Sequence, residues 1–395
     1  MAQEVSVFVN ISMKLKINPK LLLTVFLLVV ILFNVSRVLY QQRDKYFSFD
    51  YWQRYSSLEN AYYDSVYANK NGSWLPDETV YAFSGGALIK GENPILIIPE
   101  VPPVGKYLIG LSALLFNNEN IIIAFCSIAS LIMLFLIGKQ IFHSTLIALI
   151  PLAFLSFEQI FINQLIYIPL LDIIHLLFLL SSFYFFNVAL KSKKHIFKFF
   201  LLTNLFLGLF ISTKFFGIGA SVVLAFLIVI VLNRDIKRLK LFSFALPLSI
   251  FILLLSYVRV LILGYPFNKF LGIQKWIFLY TQGHVHSLFS VWPLFFLNQW
   301  HVAWGNTPVI SDSQWSLTWP IIGVFFFITS AMYIFKKISK NKEIEILIAW
   351  VFLYFAFLSF GDANSRYFII LIPIIYLVVV FGTMAFFNAV IKKIK

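Results

Sequence analysis

Apolar runs about the length of a bilayer crossing recur along this chain from Leu21 to its end, separated by short basic or polar interruptions. They lie near 21 to 40, 120 to 138, 144 to 160, 168 to 190, 197 to 213, 216 to 233, 241 to 263, 317 to 335, 344 to 361 and 367 to 390. A bilayer core takes about 20 predominantly apolar residues per helical crossing, so the pattern predicts an all-α polytopic membrane protein of about ten transmembrane helices. Residues 1–395 then form a single transmembrane domain. The first run is longer than the apolar core of a secretory signal and has no small-residue cleavage site behind it, which predicts a retained span. Phe197 to Asn233 is about two spans long, with basic clusters at both ends, and predicts a hairpin. Its turn falls near Ser212-Thr213-Lys214-Phe215-Phe216-Gly217, which puts Lys214 at the outer membrane face.

Two polar segments interrupt this pattern, residues 41–119 and 264–315. Helices are usually joined by a few residues, so these long loops are the expected working parts. The first is rich in Tyr, Asp, Asn and Ser and carries acids at Asp44, Asp50, Glu59, Asp64, Asp77, Glu78, Glu92 and Glu100. It closes on Pro102-Pro103-Val104-Gly105-Lys106-Tyr107, and the apolar run from there to Phe116 is too short to span. Prolines suit a helix's first turn, so a helix lying along the membrane surface is expected there. The second loop is aromatic, with Trp276, Tyr280, Trp292, Trp300, Trp304 and Trp315 beside His284, His286 and His301. Its rings suit either interfacial anchors or the wall of a pocket for a lipid or sugar.

Composition agrees with lipid as the solvent: 60% of the residues are hydrophobic and 12% charged, with a mean hydropathy of +0.87. The charge is unevenly placed. The clusters Lys191/Lys193/Lys194/Lys198, Arg234/Lys237/Arg238/Lys240, Lys336/Lys337/Lys340/Lys342 and Lys392/Lys393/Lys395, with Lys14, Lys16, Lys20 and Lys139, all fall on one side of the predicted topology. That side holds 19 of the 31 basic residues and four of the 17 acids. It is the expected cytoplasmic face, with both termini on it, because basic flanks resist translocation. The net charge of +14 is thus a topology signal, and no nucleic-acid partner is expected. Cys126, the only cysteine, falls inside a predicted span and builds no disulfide or cysteine metal site within one chain.

The candidate chemistry begins in the first loop, with Pro76-Asp77-Glu78, then Tyr81, Gly85-Gly86, Gly91, Glu100 and the Pro-Pro-x-Gly-Lys turn. Further on come Leu171-Asp172, the run Gly208-Leu-Phe-Ile-Ser-Thr-Lys214-Phe-Phe-Gly217, His286-Ser287 with Trp292-Pro293, and Arg366-Tyr367 with Pro373. In this order the motifs resemble the C-type glycosyltransferases that use polyprenyl-phosphate sugars, above all the protein O-mannosyltransferases and the aminoarabinose transferases. Those enzymes carry an Asp-Glu pair followed by a Pro-Pro-Leu-Gly-Lys-like turn that opens a juxtamembrane helix. In this chain Glu100-Val101 stands where mannosyltransferases usually have a His before the paired prolines. The resemblance implies a membrane glycosyltransferase that moves a monosaccharide from a polyprenyl-phosphate carrier to a protein, lipid or glycan. It also implies an extracytoplasmic site and inversion at the sugar carbon.

Such a transfer needs a base for the acceptor's proton and cations for the departing phosphate. Asp77 is the expected base, with Glu78 and Asp172 as further acids of the catalytic group. Lys106, Lys214 and Arg366 are the expected phosphate ligands, an arginine suiting a two-pronged grip. Glu100, Tyr81, His286, Trp292 and Tyr367 are expected to line the pocket. The bland alternatives are a helix start at Asp77, snorkelling anchors for the cations and simple packing for His175. His284 and His286 make no recognisable metal motif, so no cofactor is indicated and a divalent metal is left open. Asn71-Gly72-Ser73 fits a glycosylation acceptor. The rivals are a transporter or flippase of lipid-linked sugars, which would place its acids near the bilayer midplane, and a non-enzymatic assembly protein. The expected compartment is the plasma membrane, or the endoplasmic reticulum membrane in a eukaryote.

Overall fold

The computed structural model describes residues 18–67, 75–283, 287–301, 309–336, 338, 340–361 and 363–394. His284, His286, Trp304 and the Asn71-Gly72-Ser73 tripeptide lie outside them. Among the described residues the fold is all helical, apart from one isolated antiparallel bridge between Trp300 and Ile310.

The chain enters through α1 (Pro19–Gln41), started by Pro19 and by the Asn18 side chain, which accepts from the Lys20 N–H at 3.0 Å. The first polar loop then folds as α2 (Arg43–Tyr46), α3 (Tyr51–Tyr67), α4 (Asp77–Lys90) and α5 (Val104–Phe116). Next come α6 (Ile121–Phe142), α7 (Thr145–Phe157), α8 (Gln159–Ile166), α9 (Asp172–Lys191) and the hairpin of α10 (Ile196–Ile211) and α11 (Gly217–Leu232). Helices α12 (Ile236–Ala245) and α13 (Pro247–Ser256) make one further apolar rod. The second loop holds α14 (Val258–Ile262), α15 (Phe267–Gly283) and α16 (Val291–Leu297). Helices α17 (Thr318–Ile334) and α18 (Lys342–Ser359), a 3₁₀ turn (Ser365–Ile369) and α19 (Ile372–Ile394) complete the chain.

Every one of the apolar runs read from the sequence falls on one helix or on a short series of two or three. Among the described residues, five helices are long and apolar enough to cross a membrane by themselves, or six if α7 and α8 count as one broken span. Two ends differ from expectation. The third run is bent by 63° at Glu158, which lies in extended conformation between α7 and α8. Its buried carboxylate accepts from Thr318 Oγ1 at 2.6 Å, from Trp319 Nε1 at 3.1 Å and from the Tyr376 hydroxyl. A carboxylate inside an apolar bundle needs such donors, and reaching all three turns the chain out of its helix. The last run opens as a 3₁₀ turn because the Asn364 side chain accepts from the Arg366 N–H at 3.0 Å before α19 begins.

Helix α9 is the centre of the bundle, packed against α6 and α10, with Leu176, Phe183 and Phe186 fully buried. Phe186 stacks on Phe226 of α11 at 3.9 Å, and His175 on Phe210 of α10 at 3.8 Å. The first loop forms its own small core from Tyr51, Tyr55, Tyr62 and Phe83. Its two main helices, α4 and α5, cross where side chains are smallest. A Cβ added to Gly85 would lie 2.8 Å from the Gly110 nitrogen, so glycine at this crossing permits the close approach.

Candidate active site

The turn after the paired prolines fastens the motifs together. Val104 N–H donates to the Ser212 carbonyl at 2.9 Å. A Cβ on Gly105 would stand 2.7 Å from Leu171 Cδ2 and 3.0 Å from Thr213 Cγ2. Glycine there lets α5 seat against both the Leu171-Asp172 step and the Ser212-Thr213-Lys214 turn. That turn is held in place by Ser212 and Thr213, whose hydroxyls donate back to the carbonyls of Gly208 at 2.6 Å and Leu209 at 2.7 Å.

Charged side chains from four separate segments meet at this point. Asp172, the first residue of α9, has Oδ1 2.5 Å from Lys214 Nζ and Oδ2 3.5 Å from Arg366 Nε. Arg366, on the 3₁₀ turn, reaches Asp77 with Nη1 2.5 Å from Oδ2. Asp77 opens α4 without capping it by its side chain; its carboxylate faces Arg366 instead of the helix end. The Lys214 ammonium also sits over the Tyr367 ring, 5.2 Å from its centroid. Two acids and two bases therefore balance in a site where Asp172 is 2% and Lys214 9% exposed.

Burial and pairing pull the titrations in opposite directions. Burial pushes the Lys214 ammonium below its ordinary value, although Asp172 draws it back up. Burial acts in the same sense on Arg366, but there Asp172 and Asp77 prevail and hold the guanidinium above its usual value. Burial raises the Tyr81 hydroxyl, helped by Asp77, and raises the Glu100 carboxyl.

A cavity of about 310 Å³ opens beside this cluster, with Asp77, Glu78 and Arg366 on its wall and Asn163, Gln164 and Gln314 completing it. Its size falls at the lower end of small-molecule sites. Asn163 and Gln164 come from α8, the short helix beyond the Glu158 break. Sequence reading passed over them and Glu158. The available signal was four polar residues, Glu158-Gln159 and Asn163-Gln164, inside an otherwise apolar stretch.

Not every expected residue joins the cluster. Lys106 is fully buried and donates to the carbonyls of Ile97 at 3.0 Å and Ile98 at 2.8 Å. Burial pushes its ammonium down to about 7, with Glu100 opposing. Its contacts brace the segment before the prolines, so the expected role as a phosphate ligand has no geometric support. Trp292 donates to Ser359 Oγ at 2.9 Å and stacks on Phe355 at 4.7 Å, which is packing within the bundle. Trp300 Nε1 and Trp315 Nε1 donate to the carbonyls of Ala363 and Phe295, each at 2.9 Å. With the Ser365 hydroxyl donating to Asp312, the Trp300 bond ties the second loop to the turn that carries Arg366, while the Trp315 bond holds the end of that loop to α16. His286 lies outside the described residues. Among the described residues no group of three or more His, Cys, Asp or Glu is placed to hold a metal.

These features define a polytopic helical protein with a charged, partly enclosed site at one end of its central helix, and comparison with known proteins identifies the architecture. The ArnT protein of Cupriavidus metallidurans matches with a TM-score of 0.53 and 14% identity, over 79% of this chain and 55% of that one. The same protein bound to undecaprenyl phosphate matches with a TM-score of 0.52 and 15% identity, over 78% and 54%. The apo Archaeoglobus fulgidus oligosaccharyltransferase matches with a TM-score of 0.52 and 14% identity, over 95% of this chain and 52% of that one. Residues 100–262 match the sequence profile of the dolichyl-phosphate-mannose-protein mannosyltransferases. No curated protein sequence matches the chain. The chain has the membrane fold of the C-type glycosyltransferases that use polyprenyl-phosphate sugars, and it spans about half the length of the solved structures it matches.

Proposed function

We propose that this protein transfers a monosaccharide from a polyprenyl-phosphate carrier to a hydroxyl of a protein, lipid or glycan acceptor, inverting the sugar carbon. The observation that carries the reading is the meeting of Asp77, Asp172, Lys214 and Arg366, from four distant segments, beside one cavity. The acceptor oxygen attacks the anomeric carbon, and the bond from that carbon to the phosphate oxygen breaks with its electron pair on the phosphate. Asp77 takes the acceptor's proton, in reach of the cavity that its own side chain lines. Lys214 and Arg366 stabilise the charge that grows on the phosphate. Asp172 holds both cations in place before the carrier arrives. Once a phosphate engages Arg366, the Asp77 carboxylate is released from its ion pair to act as base.

Glu78 stands next to Asp77 on the cavity wall, with Tyr81, Glu100 and Tyr367 around the charged group. The site faces the extracytoplasmic side, because Asp172 and Lys191 are the two ends of α9 and the basic clusters gather at the Lys191 end. The test uses membranes reconstituted with the protein and a labelled lipid-linked sugar. Asp77→Asn should abolish transfer while carrier binding persists, and unchanged transfer would remove Asp77 from the mechanism.

A further inference from the structure

The polar wall contributed by α8 has a feature that the charge cluster leaves unexplained. Gln164 is fully buried, lines the cavity, and has neither its amide nitrogen nor its amide oxygen hydrogen-bonded to any described residue. Gln314, on the segment leading into α17, lines the same cavity with its amide oxygen buried and equally without a partner among the described residues. Asn163 lines the cavity beside Gln164, and its oxygen accepts from Gln159 Nε2 at 2.6 Å. Buried amides without partners are uncommon, since each forfeits its hydrogen bonds to water. One such amide and one further buried amide oxygen on one cavity wall, from elements far apart in the chain, point to a ligand that completes them.

An amide offers two donors and an acceptor on one rigid plane. That set complements neighbouring hydroxyls, each of which both donates and accepts, and brings no charge to attract a second phosphate. The cations that suit a phosphate, Lys214 and Arg366, are paired with Asp172 and Asp77, and of the two Arg366 lines this cavity. We propose that Gln164, with Asn163 and Gln314, forms the subsite that reads the ring hydroxyls of the transferred sugar, while Lys214 and Arg366 hold the carrier's phosphate. The Glu158 break serves this subsite by turning α8 away from α7 and anchoring it to Thr318, Trp319 and Tyr376.

The inference rests on the glycosyltransferase reading and is tested separately from it. The full chain in lipid nanodiscs is titrated with decaprenyl phosphate and with decaprenyl phosphate carrying mannose, glucose or 4-amino-4-deoxyarabinose. Wild type should bind at least one sugar-bearing form more tightly than the bare carrier. Gln164→Leu and, on a different element, Gln314→Leu should each reduce that sugar-dependent gain about tenfold, as expected for a lost hydrogen-bonding group, and leave bare-carrier affinity within about twofold. Gln164→Asn should recover part of the gain. The subsite is overturned if both leucine variants keep the wild-type gain, if bare and sugar-bearing carriers weaken equally, or if wild type gains nothing from any sugar. A wild-type chain that binds no carrier at all overturns the glycosyltransferase reading itself.

Discussion

The two ends of α9 carry ion pairs that look alike in distance and differ in surroundings. At its start Asp172 meets Lys214 at 2.5 Å with side chains 3% and 11% exposed. At its finish Lys191 meets Glu343 at 2.6 Å, with the lysine 42% and the glutamate 10% exposed. A helix of this length separates the two by about 30 Å, the thickness of a bilayer core. At the Lys191 end the chain is rich in bases, and Arg238 further bonds the carbonyls of Ala189 and Ser192. At the Asp172 end acids and bases balance, with Asp172 and Lys214 shielded from water and Asp77 open to the cavity. The contrast is between a pair in which both partners bear the cost of desolvation and a pair in which only Glu343 does, the lysine keeping much of its water.

The largest way to break this contrast is Asp172→Asn, which leaves Lys214 and Arg366 facing each other with one acid fewer. Stability should fall by about 3–5 kcal/mol, the range for removing one partner of a buried pair. Thermal unfolding in detergent reads it, and adding Lys214→Met should restore part of the loss, because the uncompensated cation is then gone.

Next in size is Gly105→Ala. The added carbon meets Leu171 and Thr213 in a packed interior, and overpacking of this kind costs about 1–3 kcal/mol. Transfer should fall further than the stability loss explains, since the same shift separates Asp172 from Lys214. Activity and unfolding measured on one preparation distinguish the two effects.

Lys106 supplies a prediction in pH. Burial lowers its folded value to about 7 from an ordinary 10.5. Between those values the unfolded chain holds the proton and the folded chain does not, so raising the pH favours folding. The penalty is full below about 7 and is relieved as the pH climbs toward the ordinary lysine value. Wild type should therefore gain up to about 1.4 kcal/mol per pH unit over that interval relative to Lys106→Met. Parallel unfolding curves at pH 7 and 9 for the two proteins would show that the lysine is charged in the folded state.

The smallest effect is expected at the other end of the helix. Lys191→Met removes a partly solvated pair and should change stability by less than about 1 kcal/mol. A larger loss in the same unfolding assay would erase the distinction between the two ends.

Much of the candidate site was legible as separate motifs. Asp77-Glu78, Leu171-Asp172, the Ser-Thr-Lys turn and Arg366-Tyr367 stood out by their order along the chain, which resembles that of the C-type glycosyltransferases; taken singly, each reads as well as a helix start or an interfacial anchor. Lys106 belonged to the same reading but bonds the carbonyls of Ile97 and Ile98 instead. Nothing local distinguishes a lysine that faces a phosphate from one folded under its own loop. Gln164 stayed hidden for the converse reason, since a neutral amide in an apolar stretch carries little signal until a cavity forms next to it.

By itself the sequence determined where the apolar helices run and that bases cluster between them, because both follow from the length and composition of contiguous runs. It also determined where the hairpin of α10 and α11 turns, since two apolar runs flanked by bases leave one place for it. Only the tertiary structure decided that Asp77 meets Arg366 across 289 residues, that the third run breaks at Glu158, and that α8 closes the cavity. Those outcomes depend on which helices pack together and on where buried polar groups find partners, and pairings across such separations are not encoded in any one stretch of chain.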